Sequence, residues 1–225
     1  MLFRFVSKMG GSSEPASDSA MSQTARIEPS TSVIASLLPS CLLADLRTDH
    51  SGESGAVMIY RGILAVSRDP ALRAFASEHI ATEARHLSYI EEVVPARQRS
   101  VLLPLWRAAG WLTGAVPALA GARAVYATIQ AVETFVDRHY AAQVEWIDHW
   151  LRSRQSDELT PHTQPAVMDV LVVVRERLEQ CRLDEVAHRD DAGGRWDGQP
   201  GFLLGAWLFC VSAGSDTAVR ISRKL

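Results

Sequence analysis

Four glutamates and two histidines fall along this chain in an order that few folds can accommodate: Glu53, then Glu83-x-x-His86, then Glu133, then Glu185-x-x-His188. On a helix, residues three apart share a face one turn apart, so the carboxylate and imidazole of each Glu-x-x-His reach a common metal ion. One such motif arises by chance on many solvated helices. Two copies on separate segments, each matched by a lone glutamate, form a donor set. Glu53 lies in DHSGESGAVMIY and Glu133 in YATIQAVETFV. A carboxylate among such neighbours is expensive unless something pairs with it. Gln130, Glu133 and Asp137 form one stripe flanked by Ile129, Val132, Phe135 and Val136.

The surrounding pattern is helical almost everywhere beyond residue 40, with no sustained apolar–polar alternation, so essentially no sheet is expected. The periodicity predicts four long helices, at about Leu42–Val66, Pro70–Val93, Ala122–Leu151 and Pro165–Ala192. Asp69 is a good N-cap and Pro70 a good first helical residue, while Gly193-Gly194 stops the fourth helix. Residues 101–120 are strongly apolar but interrupted by Pro104, Gly110, Gly114 and Pro117; they join the second long helix to the third. A second apolar stretch covers 202–214, and a short basic helix closes the chain. Four helices with one long crossover make a ferritin-like bundle, whose di-metal centre takes one Glu from each of two helices and a Glu-x-x-His from each of the others. The expected fold is therefore all-α, with an apolar crossover between helices two and three and an apolar C-terminal segment. The expected domains are a disordered arm over 1–31, rich in Ser, Gly and Pro, and one domain over 32–225.

The expected metal ligands are Glu53, Glu83, His86, Glu133, Glu185 and His188. Four carboxylates balance two divalent ions; without metal, some would have to protonate. Oxygen-rich ligation with two imidazoles suits iron or manganese, whereas zinc prefers sulfur or more nitrogen. Two ferrous ions with open positions bind and reduce O2, and substrate access then decides the reaction. Tyr60 and Tyr140 each follow a lone glutamate by seven residues, nearly two helical turns, so each shares its glutamate's face. Asp184 precedes the last motif and is placed to orient a metal-bound histidine on a facing helix. His50, His79 and His139 lie near the ligand positions and are expected to support rather than ligate, while His149 and His162 read as solvated.

Composition narrows the function classes. A net charge of −3 gives no general affinity for nucleic acid. Cys41, Cys181 and Cys210 form no C-x-x-C pair, which excludes a zinc ribbon or rubredoxin-type centre and suggests reduced, structural thiols.

Several motifs closely resemble the demethoxyubiquinone hydroxylases, the di-iron enzymes of ubiquinone biosynthesis. They are Arg47-Thr48-Asp49-His50-Ser51-Gly52-Glu53 with Ile59-Tyr60-Arg61-Gly62, Glu83-x-x-His86, Pro104-Leu105-Trp106 with Gly110 and Gly114, Ala131-Val132-Glu133, His139-Tyr140 with Gln143, Asp184-Glu185-x-x-His188, and Ile221-Ser222-Arg223. The resemblance covers roughly residues 40–225 and all six ligand positions. It implies a ferritin-like monooxygenase that hydroxylates a polyprenylated methoxy-methyl-benzoquinol with O2, two iron ions and two electrons from NADH or another donor. His139 and Tyr140 become candidates for quinol contact or for the point where electrons arrive. The family sits peripherally on a membrane, here expected at the cytoplasmic face of a bacterial inner membrane, with the mitochondrial inner membrane as the alternative. Some lineages work with a lipid-binding partner of the pathway, and a homo-oligomer is a further expectation. The two apolar stretches are expected to pack as a helical pair with an outer face at the lipid interface, at a depth suited to Trp106, Trp111 and Trp207. Other readings are a different di-iron oxygenase acting on a lipid or tRNA base, or a ferroxidase or iron-storage protein; the apolar stretches count against a soluble storage shell.

Overall fold

A computed structural model describes residues 31–155 and 164–225. Residues 1–30 of the expected arm, and residues 156–163 between the third and fourth long helices, with His162, lie outside them. Seven α-helices are present among the described residues, and no strand. They are α1 (Thr31–Leu37), α2 (Ser40–Val66), α3 (Pro70–Val93), α4 (Leu103–Ala120), α5 (Ala122–Gln155), α6 (Gln164–Gly193) and α7 (Phe202–Ser222). The four long helices α2, α3, α5 and α6 form the bundle, and α4 is the crossover.

Local chemistry sets the boundaries. Asp69 caps α3 by accepting from the backbone N–H groups of Ala71 at 2.9 Å and Leu72 at 3.4 Å, and Pro70 opens the first turn. Gly121, at φ 103°, reverses the chain between α4 and α5. The first described residue, Thr31, opens α1. Two expectations need correction. The third long helix continues to Gln155. The apolar stretch at 202–214 and the basic tail form one continuous helix, since Gly214 is helical and only Arg223 caps the end.

The crossover holds a further difference. Gly110, Gly114 and Pro117 were expected to interrupt α4, yet all lie inside it. The two glycines are contact points. A Cβ on Gly110 would strike the backbone of Gly55, one on Gly114 the carbonyl of Ile59, and one on Gly62 the backbone of Trp111 and Ala115. The main chains of α2 and α4 therefore touch along a seam of small residues, as in close-packed membrane helices. The helices expected to pair with each other pack mainly elsewhere: α4 chiefly on α2, and α7 on α5 and α2.

The core divides into two apolar clusters. Leu42, Leu46, Ile90, Tyr140, Ile147 and Leu171 are buried in one, and Tyr60, Ile63, Leu72, Phe75, Val125 and Ile129 in the other. On every long helix the expected ligand positions fall between the residues of the two clusters.

Gly114→Ala should destabilise the protein by about 1–3 kcal/mol through overpacking against Ile59. Gly52→Ala, whose Cβ meets nothing within 4 Å, should be neutral or stabilising by about 0.5–1 kcal/mol, since alanine suits a helix interior better. Thermal unfolding of the two variants should show shifts of opposite sign; equal shifts would mean that the seam is not tightly packed.

Candidate metal centre

The middle of the bundle is polar. Glu53 on α2, Glu83 and His86 on α3, Glu133 on α5, and Glu185 and His188 on α6 are all buried. Their donor atoms form two groups, each within 4.8 Å internally: Glu53, Glu83, His86 and Glu185 in one, and Glu83, Glu133, Glu185 and His188 in the other. Glu83 and Glu185 belong to both. The structure thus brings together all six positions singled out in the sequence, as two adjacent sites with two shared carboxylates.

Both imidazoles turn Nδ1 inward. His86 Nδ1 lies 2.9 Å from Glu185 Oε1 and 3.8 Å from Glu53 Oε2. His188 Nδ1 lies 2.9 Å from Glu83 Oε1 and 3.5 Å from Glu185 Oε2. On its outer side, His86 Nε2 is 3.1 Å from Asp184 Oδ2, a contact that fixes the ring. His188 packs against His79 with ring centroids 4.2 Å apart and the planes tilted by 40°, and His79 is held by Asp191 at 3.0 Å.

The two tyrosines cross over. Tyr60 donates to Glu133 Oε1 at 3.1 Å, and Tyr140 donates to Glu53. Each serves the glutamate of the facing helix, because seven residues along a helix is roughly 10 Å, too far to reach back to its own. His50 contacts Glu91 at 3.4 Å and takes no part in the cluster, while His149 is exposed. His139 stands apart from the six, with Nε2 at 2.9 Å from Thr48 Oγ1 and 3.0 Å from Asp49 Oδ1. Asp49 and Asp191 escaped sequence reasoning. The available signal was helical spacing: Asp49 is four residues before Glu53 and Asp191 three after His188.

The carboxylates are under electrostatic strain. Burial, then the charge of Glu185, holds the Glu53 and Glu133 carboxyls well above the usual range. Burial also favours a neutral His86 and His188, but hydrogen bonding and charge from Glu185 and its neighbours outweigh it and push them up to about 10 and about 9. Glu185 goes the other way. Burial would raise it, but His188 and His86 hold it down at about 2. Even so, Glu53 Oε2, Glu83 Oε2 and Glu185 Oε2 are buried with no hydrogen-bond partner, and Glu83 Oε1 has only the approach of His188 Nδ1. Oxygen atoms in that state, beside two inward-facing imidazole nitrogens, fit a pair of hard or borderline cations.

A cavity of about 780 Å³ reaches these carboxylates. Its lining includes Glu53, Glu83, Glu133 and Glu185, with Ile59, Val132, Phe135 and Val136 from the bundle, Trp106 and Leu112 from α4, and Trp207 and Phe209 from α7. The outer surfaces of α4 and α7 carry exposed Leu105, Leu119, Phe202 and Leu203. Helix α7 alone is long and apolar enough to cross a membrane, among the described residues and by length and composition only.

Residues 41–222 match the family model for "Ubiquinone biosynthesis protein COQ7". A "3-demethoxyubiquinol 3-hydroxylase" of Rhodospirillum rubrum is 32% identical over 186 residues, covering 80% of this chain and 76% of that protein. A mitochondrial "NADPH-dependent 3-demethoxyubiquinone 3-hydroxylase" of Dictyostelium discoideum is 30% identical with the same coverage. The Caenorhabditis elegans protein of that name is 27% identical over 80% of this chain and 88% of its own length.

The pH response of protein stripped with a chelator follows from these charges. His86 and His188 sit above their ordinary 6.5, so their contribution is complete below pH 6.5 and is lost as pH rises towards 9–10. Glu53 and Glu133 lie above their ordinary 4.5, so they too lose stability as pH rises above 4.5. Glu185 opposes this only below 4.5. His50 and His79, held below 6.5 by burial, pull the other way up to pH 6.5, so the melting temperature of chelated protein should fall from about pH 6.5 to 9. A melting temperature that climbs across that range would contradict the buried charge pattern.

Proposed function

The chain belongs to the COQ7 family of ubiquinone biosynthesis proteins, and on that premise we propose that it is a di-iron monooxygenase that hydroxylates a polyprenylated demethoxyubiquinol ring. One observation carries the reading: two four-residue donor groups sharing Glu83 and Glu185 line the wall of a mostly apolar cavity. In the proposed centre, Glu53 and His86 complete one site and Glu133 and His188 the other, with the shared carboxylates serving both. Bound iron supplies the chemistry of O2 reduction. Overall, a ring C–H becomes C–OH, the second oxygen atom leaves as water, and two electrons and two protons are consumed.

The protein's own groups prepare that reaction. Asp184 holds His86 by Nε2, leaving Nδ1 to face inward. Tyr60 and Tyr140 orient Glu133 and Glu53 by donating to them from the facing helix. Ile59, Val132, Phe135 and Val136 keep bulk water from the carboxylates and give the substrate ring an apolar bed. The electron donor in this proposal is a reduced nicotinamide, the class named for two of the relatives. His139 and Tyr140 both line the cavity and are the proposed contacts for the ring or the incoming electrons.

The proposed location is peripheral on a membrane. Exposed Leu119 and Phe202, at 78% and 89% of full exposure, would face the lipid along with their neighbours on α4 and α7. A polyprenyl tail would then leave the cavity between these helices without crossing water. The same face suits a lipid-binding protein of the pathway. These apolar surfaces weigh against a soluble iron-storage shell.

Purified protein expressed with added iron should hold about two irons per chain. Glu133→Ala and Glu185→Ala should each lose metal and hydroxylation while keeping a helical circular dichroism spectrum. A strain lacking the protein should accumulate the demethoxy precursor and recover with the wild-type chain only. Full activity in either variant would overturn the ligand assignment, and a large hollow oligomer would favour iron storage.

A further inference from the structure

The cavity is not uniform along its length. Its α2 wall runs from Thr48 to Ile59, roughly 16 Å of helix. At the Ile59 end the lining is apolar, with Leu112 from α4 and Phe209 from α7. At the other end Thr48, Asp49 and His139 meet, and the carboxylates of the metal centre lie between.

Asp49 is the unusual group at the polar end. Its side chain is almost wholly buried, at 1% exposure. Oδ1 is fully engaged, accepting from Gln143 Nε2 at 2.8 Å and lying 3.0 Å from His139 Nε2. Thr48 spends its only hydroxyl hydrogen on the Asp45 carbonyl at 2.7 Å, so at 2.9 Å from His139 Nε2 it can only accept. These two acceptors place the proton on Nε2, and Gln143 Nε2, 3.0 Å from the same nitrogen, gives its hydrogen to Asp49 instead. Oδ2 of Asp49, by contrast, is buried with no hydrogen-bond partner. A carboxylate oxygen only accepts, so what it lacks is a donor.

We propose that Asp49 is the residue that makes this site select the reduced, hydroxyl-bearing form of its substrate over the oxidised form: Oδ2 accepts the hydrogen of one ring hydroxyl while Oδ1 holds Gln143 and His139 in place. The inference rests on the reading that the cavity takes a benzoquinol. A quinol offers an O–H at the ring oxygen. The matching quinone has the same shape but offers only a carbonyl, which would put two acceptors face to face across a buried gap. Redox state is thus read by hydrogen-bond polarity at a position where size cannot tell the two forms apart. The same contact fixes the ring's direction, with a hydroxyl towards Asp49 and the tail towards Leu112 and Phe209.

The test is equilibrium dialysis, without oxygen, of a short-chain methoxy-methyl-benzoquinol and its quinone against the full chain, metal-free and iron-loaded. Wild-type protein should bind the quinol about ten- to a hundred-fold more tightly, the range for one hydrogen bond to a buried charge. In Asp49→Asn, Gln143 keeps the oxygen turned towards itself and the new amide faces the cavity as a donor. That variant should bind the quinone at least as tightly as the quinol, with unchanged iron content and a raised KM for the quinol. Equal binding of both forms by wild-type protein that still hydroxylates would overturn the Asp49 assignment alone. So would a quinol preference surviving in Asp49→Asn. Failure of both forms to bind, with no precursor accumulating in the deletion strain, would overturn the hydroxylase reading as well. The wild-type comparison decides the matter even if the variant does not fold.

Discussion

Four carboxylates withdrawn from water into the centre of a helical bundle are the constraint on which this structure depends. An uncompensated buried charge costs several kcal/mol, a large part of a domain's total stability of roughly 5–15 kcal/mol. The surroundings of Glu53, Glu83, Glu133 and Glu185 are arranged to limit that cost. Two imidazoles face them, two phenol hydroxyls donate to them, and Asp184 steadies one of the imidazoles. The compensation is incomplete: Glu83 Oε2 finds no hydrogen bond, and Oε1 has only the approach of His188 Nδ1 at 2.9 Å. A site tuned for structure alone would have closed that gap with a donor or replaced the acid. Leaving it open sacrifices stability for a cationic occupant, as at other strained functional sites.

The same centre accounts for what could be read from sequence. Helical geometry places residues three apart on one face, so two Glu-x-x-His motifs and two lone glutamates declare their convergence without any knowledge of tertiary contacts. Asp69 and Pro70 announce a helix start because capping is a local event. What the sequence hid depended on which helix faces which. That Tyr60 would serve Glu133, and Tyr140 Glu53, requires the bundle to be assembled. Asp49 was passed over as part of a motif, since nothing local says that one of its oxygens would be occupied and the other left bare. Glycine was misread for a similar reason. In an isolated segment Gly110 and Gly114 look like weak points, and only against the backbone of α2 do they become the places where two helices touch.

Helices α4 and α7 are the least conventional parts of the molecule. Both are apolar, yet neither is enclosed: α4 leans on α2 and α7 spans α5 and α2, so much of each faces outward. A tightly packed bundle would have no route to its own centre. By holding these two helices as walls, the protein keeps its polar middle accessible while the apolar clusters on either side, around Leu46 and Ile63, remain close-packed.

The glycine seam also fixes a length. Only glycine fits where these backbones touch, so sliding α4 along α2 would drive a Cβ into a main chain, and the level of Glu53 on one is locked to the level of Trp111 and Leu119 on the other. The distance from the exposed Leu105 and Leu119 on α4 to the buried carboxylates is therefore a fixed property of the fold. The molecule carries its own ruler: that distance is decided by backbone contact, not by any side chain that could adopt another rotamer.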